Sequence, residues 1–183
     1  IRDVYKRQGY VGRIVKDKGI REVVEVFKIL KLKGYLVKLL VVGEIEEDDS
    51  IDKKYFNFLE SNDDVILTGQ VNKPVCYYNH MDVLLFPTYR EGFGNVSIEA
   101  QAVEVPVITS NATGAQDTVD DEQTGFIVDI GDYKAMANKT ETLMNNEILR
   151  QRLGTNARVR VAKRFKSEIV WKHLETIYRN KNF

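Results

Sequence analysis

VLLFPTYREGFGNVSIEA, residues Val83–Ala100, runs without a break from an apolar strand into a glycine-bearing turn and on into a helix. Val83–Pro87 is the most apolar strand candidate of the chain, as a strand buried on both faces should be. A second run of this kind, Val37–Val42 (VKLLVV), ends at Gly43. Between them and beyond them apolar residues recur at helical spacing, as at Ile20, Val23, Val24, Phe27 and Leu30.

The remaining segments continue the alternation. Strands are predicted at Gly12–Val15, Val65–Thr68, Val107–Thr109 and Gly125–Val128. Helices are predicted at Lys53–Leu59, at Pro74–His80 with proline in its first turn, and at Asn95–Val103. Three helical patterns close the chain, Asp132–Met144, Ile148–Arg164 and Ser167–Arg179. Strands alternating with helices imply right-handed crossovers and a parallel sheet covered on both faces. The fold class is therefore α/β, one doubly wound, Rossmann-like parallel sheet.

Bulk properties fit one globular domain. Of 183 residues, 43% are hydrophobic and 30% charged. Lys plus Arg balances Asp plus Glu at 27 each, which points to no nucleic-acid partner. The lone Cys76 rules out an internal disulfide framework and suits a reducing, cytoplasmic compartment. No apolar run approaches the roughly 18–20 residues of a membrane span, and the N-terminus carries no secretory pattern.

Asp3–Gln8 (DVYKRQ) reads as a translated sequencing adapter, so Ile1–Gln8 is set aside from fold reasoning as a non-native scar. On this reading the chain is the downstream part of a longer protein, with its domain over residues 9–183. The other reading is a genuine polar linker.

In open parallel sheets ligands bind outside the carboxyl ends of the strands, which is where YREGFGN falls. Gly92 and Gly94 let main-chain amides approach a ligand, and a helix start with free N–H groups suits phosphate. Asn95 reads as a helix cap or as a ligand contact. Glu91 and Glu99 would repel a lone diphosphate, but carboxylates accept hydrogen bonds from vicinal hydroxyls. Two of them flanking a phosphate cradle suggest sugars on both sides, the layout of a nucleotide sugar. Glu99 also admits a simpler reading, a first-turn acid favouring the helix dipole.

Glu91 and Glu99, with seven residues between them, resemble the Glu-x7-Glu signature of retaining glycosyltransferases of the GT-B fold, family 4. GRIVKDKG (Gly12–Gly19), the block around EGFGN and TGAQDTVDDEQTGFIV (Thr113–Val128) resemble other segments of that family. The resemblance implies the C-terminal, donor-binding half of a GT-B fold, with the acceptor domain missing. It implies that Arg13 and Lys18 contact the donor diphosphate and that Gly92, Phe93, Gly94 and Asn95 hold phosphate or sugar. Glu91, the candidate at the reacting sugar, would bind its hydroxyls, and Glu99 the ribose. Gln70 and Val71 would lie at the base. At Val103–Glu104 the sequence departs from the Met–Gly pair frequent in the family.

No residue reads as a covalent nucleophile, and no Asp-x-Asp pair supports a metal on the diphosphate. The expected donor is a UDP- or GDP-sugar, with no cofactor and no metal. The acceptor would be a glycan or lipid-linked precursor at the inner membrane face. His80 and His173 are isolated, Tyr77 and Tyr78 read as helix packing, and Asp48, Asp49 and Asp52 as a solvated loop. A fragment of this kind would bind donor without transferring it, as a binding-only module. A dinucleotide oxidoreductase is disfavoured because Gly92–Ser97 lacks the third fingerprint glycine. A phosphorylase is disfavoured because no segment suits a pyridoxal lysine.

Overall fold

The computed structural model describes residues 6–46, 51–166, and 168, 171, 175, 176, 178 and 179. Six parallel strands form one sheet in the order β3-β2-β1-β4-β5-β6. They are β1 (Lys6–Val11), β2 (Val37–Val42), β3 (Val65–Leu67), β4 (Val83–Phe86), β5 (Val107–Ser110) and β6 (Gly125–Val128). The helices are α1 (Ile20–Leu32), α2 (Lys53–Ser61), α3 (Val75–Tyr78), α4 (Asn95–Ala102), α5 (Tyr133–Asn145) and α6 (Glu147–Arg164). This is the doubly wound order, whose direction reverses between β1 and β4.

Alternate side chains of the strands feed two cores. Tyr10, Leu39, Val41, Val83, Leu85 and Ile108 join α1, α2 and α5 on one face. Val11, Leu40, Val42, Leu84, Phe86 and Val107 join Tyr78 of α3 and Ala100 of α4 on the other. Helix α6 packs against both α4 and α5. Starts of α2, α5 and α6 are fixed by side-chain caps: Asp52, Asp132 and Asn146 accept from the amides of Lys54, Ala135 and Leu149. None of the helices among the described residues is long and apolar enough to cross a membrane.

The first strand is not Gly12–Val15. It begins at Lys6 and pairs with β2 in register from Lys6↔Val37 to Val11↔Val42. Ile14 keeps only an isolated bridge to Ile45. Lys6, Arg7 and Gln8 thus stand in the sheet although their sequence reads as polar scar, because a neighbouring apolar strand supplies the ladder. The expected helix Pro74–His80 shortens to one turn, and Glu147 opens α6 one residue early. Ile1–Tyr5, residues 47–50 with Asp48 and Asp49, and His173 lie outside the described residues, as does much of Ser167–Arg179.

Candidate functional site

Two loops leave the sheet at its switch point. The first follows β1, through Gly12 and Arg13, to a 3-10 turn at Lys16–Lys18. Tyr10, fully buried at the end of β1, donates its hydroxyl to the Arg13 carbonyl at 2.6 Å and so fixes where this loop turns. The second follows β4 from Pro87 to Gly94. The two are laced by their backbones: the Tyr89 amide donates to the Asp17 carbonyl at 2.8 Å.

That lacing brings Lys18 to Glu91. Lys18 Nζ lies 3.0 Å from Glu91 Oε2 and donates to the Arg90 carbonyl at 3.2 Å. Both side chains are about one-fifth exposed, so the pair is shielded without being sealed. The pairing answers the objection that a carboxylate would repel a diphosphate, since Lys18 offsets its charge where an anion would approach. Glu91 Oε1 accepts from the Gly92 amide at 3.1 Å, which orients the carboxylate. Arg13 Nη1 meets Glu46 at 2.9 and 3.1 Å, on a pair that is about half exposed.

Helix α4 starts beside this pair. Its cap is Gly94, in the left-handed region at φ 81°, and no side chain caps it. The amides of Asn95 and Val96 therefore have no capping side chain and stand at the positive end of the helix dipole. Asn95 is the first helical residue and exposed, not the cap. A Cβ on Gly94 would stand 3.1 Å from Thr118 Cγ2 and 3.2 Å from Phe86, so a side chain here would be strained by the positive φ and tightly packed as well. Gly92 shows neither need, having no positive φ and nothing near its missing Cβ. Beneath the turn, a Cβ on Gly114 would fall 2.4 Å from the Glu91 carbonyl, so TGAQDTV packs directly under EGFG.

Glu99 lies beyond the first turn of α4, whose first turn holds no acid. The dipole reading of this residue is thereby removed. Its Oε2 instead accepts from Tyr78 Oη at 2.8 Å. Tyr78 is fully buried, and burial, then the Glu99 carboxylate, hold its hydroxyl far above the ordinary phenol range. Val71 packs against the same core as Tyr78, while Gln70 is exposed. Phe93, half-exposed at the tip of the turn, meets Phe165 edge-on with centroids 5.5 Å apart.

The underside of α4 is a buried polar network. Ser97 Oγ and Thr118 Oγ1 share a hydrogen at 2.7 Å, and Gln101 donates to the Thr118 carbonyl at 2.8 Å. Arg160 of α6, 7% exposed, donates to the carbonyls of Thr118 and Asp117, both at 2.8 Å. The sequence names Lys18, Glu91 and Glu99 as candidates and reads Tyr78 as helix packing rather than as a partner of Glu99, while Arg160 and Phe165 were passed over altogether. A helix-interior arginine following a buried Leu153–Ala157 stripe was the available signal for Arg160.

This geometry sits on a chain with well-defined relatives. Residues 3–160 match the family model described as glycosyl transferases group 1. A capsular polysaccharide biosynthesis glycosyltransferase, CapM of Staphylococcus aureus, is 58% identical over 93% of this chain and 45% of its own. The C-terminal domain of a glycosyl transferase group 1 family protein, LpcC of Francisella tularensis, superposes with a TM-score of 0.79. It is 27% identical, covering 88% of this chain and 87% of that one. Anabaena HepE in complex with UDP-glucose shares the fold at a TM-score of 0.84 and 21% identity, covering 96% of this chain and 49% of its own. The chain spans about half the length of the curated relatives it matches, 44–45% of the first three. Its architecture is that of the C-terminal, sugar-donor half of a GT-B fold, and the chain belongs to the glycosyl transferases group 1 family.

Proposed function

We propose that the chain is the donor-binding half of a retaining family 4 glycosyltransferase that builds a cell-surface polysaccharide or glycolipid. The observation carrying this reading is the Lys18–Glu91 pair at 3.0 Å beside the uncapped start of α4. Lys18 and the amides following Gly94 take the diphosphate, and Arg13 exchanges Glu46 for phosphate as donor enters. Glu91 accepts from hydroxyls of the transferred sugar, Glu99 from the ribose, and the backbone at Gln70–Val71 meets the base. Phe93, Gly92 and Asn95 complete the cradle.

Catalysis in this scheme stabilises charge on the departing nucleoside diphosphate, using donors fixed before the bond breaks. Retention of configuration rests on the family resemblance. The donor is a UDP-sugar by analogy with the UDP-glucose held by HepE. The acceptor, a glycan or lipid-linked sugar at the cytoplasmic membrane face, is held mainly by another domain, so this chain alone binds donor and transfers nothing.

Calorimetric binding of UDP- and GDP-sugars to the wild type, Glu91→Gln and Glu99→Gln tests the scheme. Glu99→Gln should lose affinity for UDP itself, by about ten-fold for one hydroxyl-binding carboxylate. Glu91→Gln should instead abolish the preference for UDP-sugar over UDP. Identical binding by all three proteins overturns the assignment.

A further inference from the structure

Beside the Lys18–Glu91 pair, on the same two loops, lies a hollow of about 310 Å³ lined by Lys16, Asp17, Arg21, Glu22 and Tyr89. The donor scheme uses none of these five residues. The walls come from the 3-10 turn at Lys16–Lys18, the first turn of α1 and the segment leaving β4.

Glu22 is only 2% exposed, an unusual position for a carboxylate in the first turn of an amphipathic helix. Its Oε1 accepts from Tyr89 Oη at 2.7 Å, and Arg21 Nε stands 4.0 Å away. Tyr89 has its hydroxyl tied down in this way, yet it stays 41% exposed, so part of the ring remains open. Asp17 keeps Oδ1 buried with no hydrogen-bond partner, while Oδ2 is 4.0 Å from Arg90 Nη2.

The charges select the ligand. Two cations and two carboxylates cancel, so a phosphate would meet Asp17 and Glu22, and a cation would meet Lys16 and Arg21. A neutral polyhydroxylated ring suits this balance: hydroxyls accept from the cations and donate to the carboxylate oxygens that reach the hollow, which Asp17 Oδ1 and the Tyr89-bound Glu22 Oε1 do not. The C–H face of a pyranose covers the open aromatic ring, whose one end is apolar and whose other is wet. The volume falls in the range of small-molecule sites.

We propose that this hollow is a second sugar subsite, which takes a hexopyranosyl unit of the acceptor glycan. The proposal rests on the donor reading, because an acceptor must reach the donor sugar held at Glu91. Tyr89 and Glu91 are two residues apart, at most about 7 Å along an extended chain. This half of the fold then contributes to acceptor recognition through Tyr89, Glu22 and Asp17.

The test is saturation-transfer NMR on the chain with methyl glycosides of glucose, galactose and their N-acetylated amino sugars. Wild type, Glu91→Gln and Glu99→Gln should all give a glycoside signal. Tyr89→Ala and Glu22→Gln should lose most of it, about five-fold or more, as expected for an aromatic or charged anchor. UDP affinity of these two variants should stay near wild type. Glu22→Gln is isosteric and keeps an acceptor for Tyr89, so it serves if Tyr89→Ala does not fold. Absence of signal in wild type, its loss in Glu91→Gln, or its persistence in both Tyr89→Ala and Glu22→Gln overturns the proposal. Failure of the donor reading is read separately, as absence of UDP binding by the wild type.

Discussion

Tyr78 Oη donates to Glu99 Oε2 at 2.8 Å, joining the one-turn helix α3 to the second turn of α4. One carboxylate oxygen is thereby fixed by protein while the other stays available to a ligand. The raised pKa of Tyr78 keeps the phenol neutral, so the bond persists at any ordinary pH. Its sign follows: the contribution to stability is complete below the unfolded phenol value of about 10 and is lost as pH rises above it.

Tyr78 is therefore a positioning residue for Glu99. Tyr78→Phe should weaken UDP binding about five-fold, the worth of about 1 kcal/mol for one hydrogen bond. On a Glu99→Ala background the same substitution should cost nothing further, measured calorimetrically as a double-mutant cycle. Additive losses would mean that Tyr78 acts on the ligand by another route.

Phe93 is tied to the end of α6. Its ring meets Phe165, whose other neighbour is the Arg160 guanidinium, 5.3 Å from the Phe165 centroid. Arg160 in turn holds the carbonyls beneath α4, so the tip of the turn and the start of the helix share one support. Phe165→Ala should weaken UDP binding by about three-fold, the scale of one aromatic pair. Its loss should be absent in a Phe93→Ala background, and equal losses in both backgrounds would sink the coupling.

Gln8 sits in the middle of β1, opposite Leu39 and Val83, with no exposed surface. Neither Oε1 nor Nε2 has a hydrogen-bond partner. A buried unpaired amide costs about 1–3 kcal/mol, and leucine is close to it in volume. Gln8→Leu should therefore raise the urea midpoint, with a gain of about 1–3 kcal/mol from the same source. A lower midpoint would show that the amide is satisfied after all.

The sheet was legible wherever burial on both faces leaves a continuous apolar run, as in VKLLVV and VLLFP. It was illegible at KRQGYV, where three polar residues enter the sheet through pairing with β2 over six positions. Of the candidate site, Lys18, Glu91 and Glu99 were readable, because each stands in a local sequence pattern. Their supports were not, because Tyr78–Glu99 and Arg160–Thr118 join residues 21 and 42 apart, and no local spacing announces such a bond. Asn95 shows the converse. Asn favours caps in general, but the cap here is left-handed at φ 81° with Thr118 and Phe86 close to the missing Cβ, which favours glycine, and Gly94 takes the position.

Glu104 adopts φ 64°, a left-handed conformation unusual for a residue with a Cβ. The chain is pinned there, since a Cβ on Gly154 of α6 would fall 2.1 Å from the Glu104 carbonyl oxygen. The strain is worth about 1–2 kcal/mol. Against it stands an ion pair with Arg158 at 3.0 Å, with side chains 44% and 64% exposed. Pairs of that kind contribute about 0–1 kcal/mol. Strain exceeds the pair, and the extra unfolded-state freedom of glycine takes back part of the difference. Glu104→Gly should therefore stabilise the fold by up to about 1 kcal/mol, whereas Glu104→Ala keeps the strain, loses the pair and should destabilise it. Urea denaturation of both variants separates the terms. Equal stability of the glycine and alanine variants would show that the backbone at this position carries no strain.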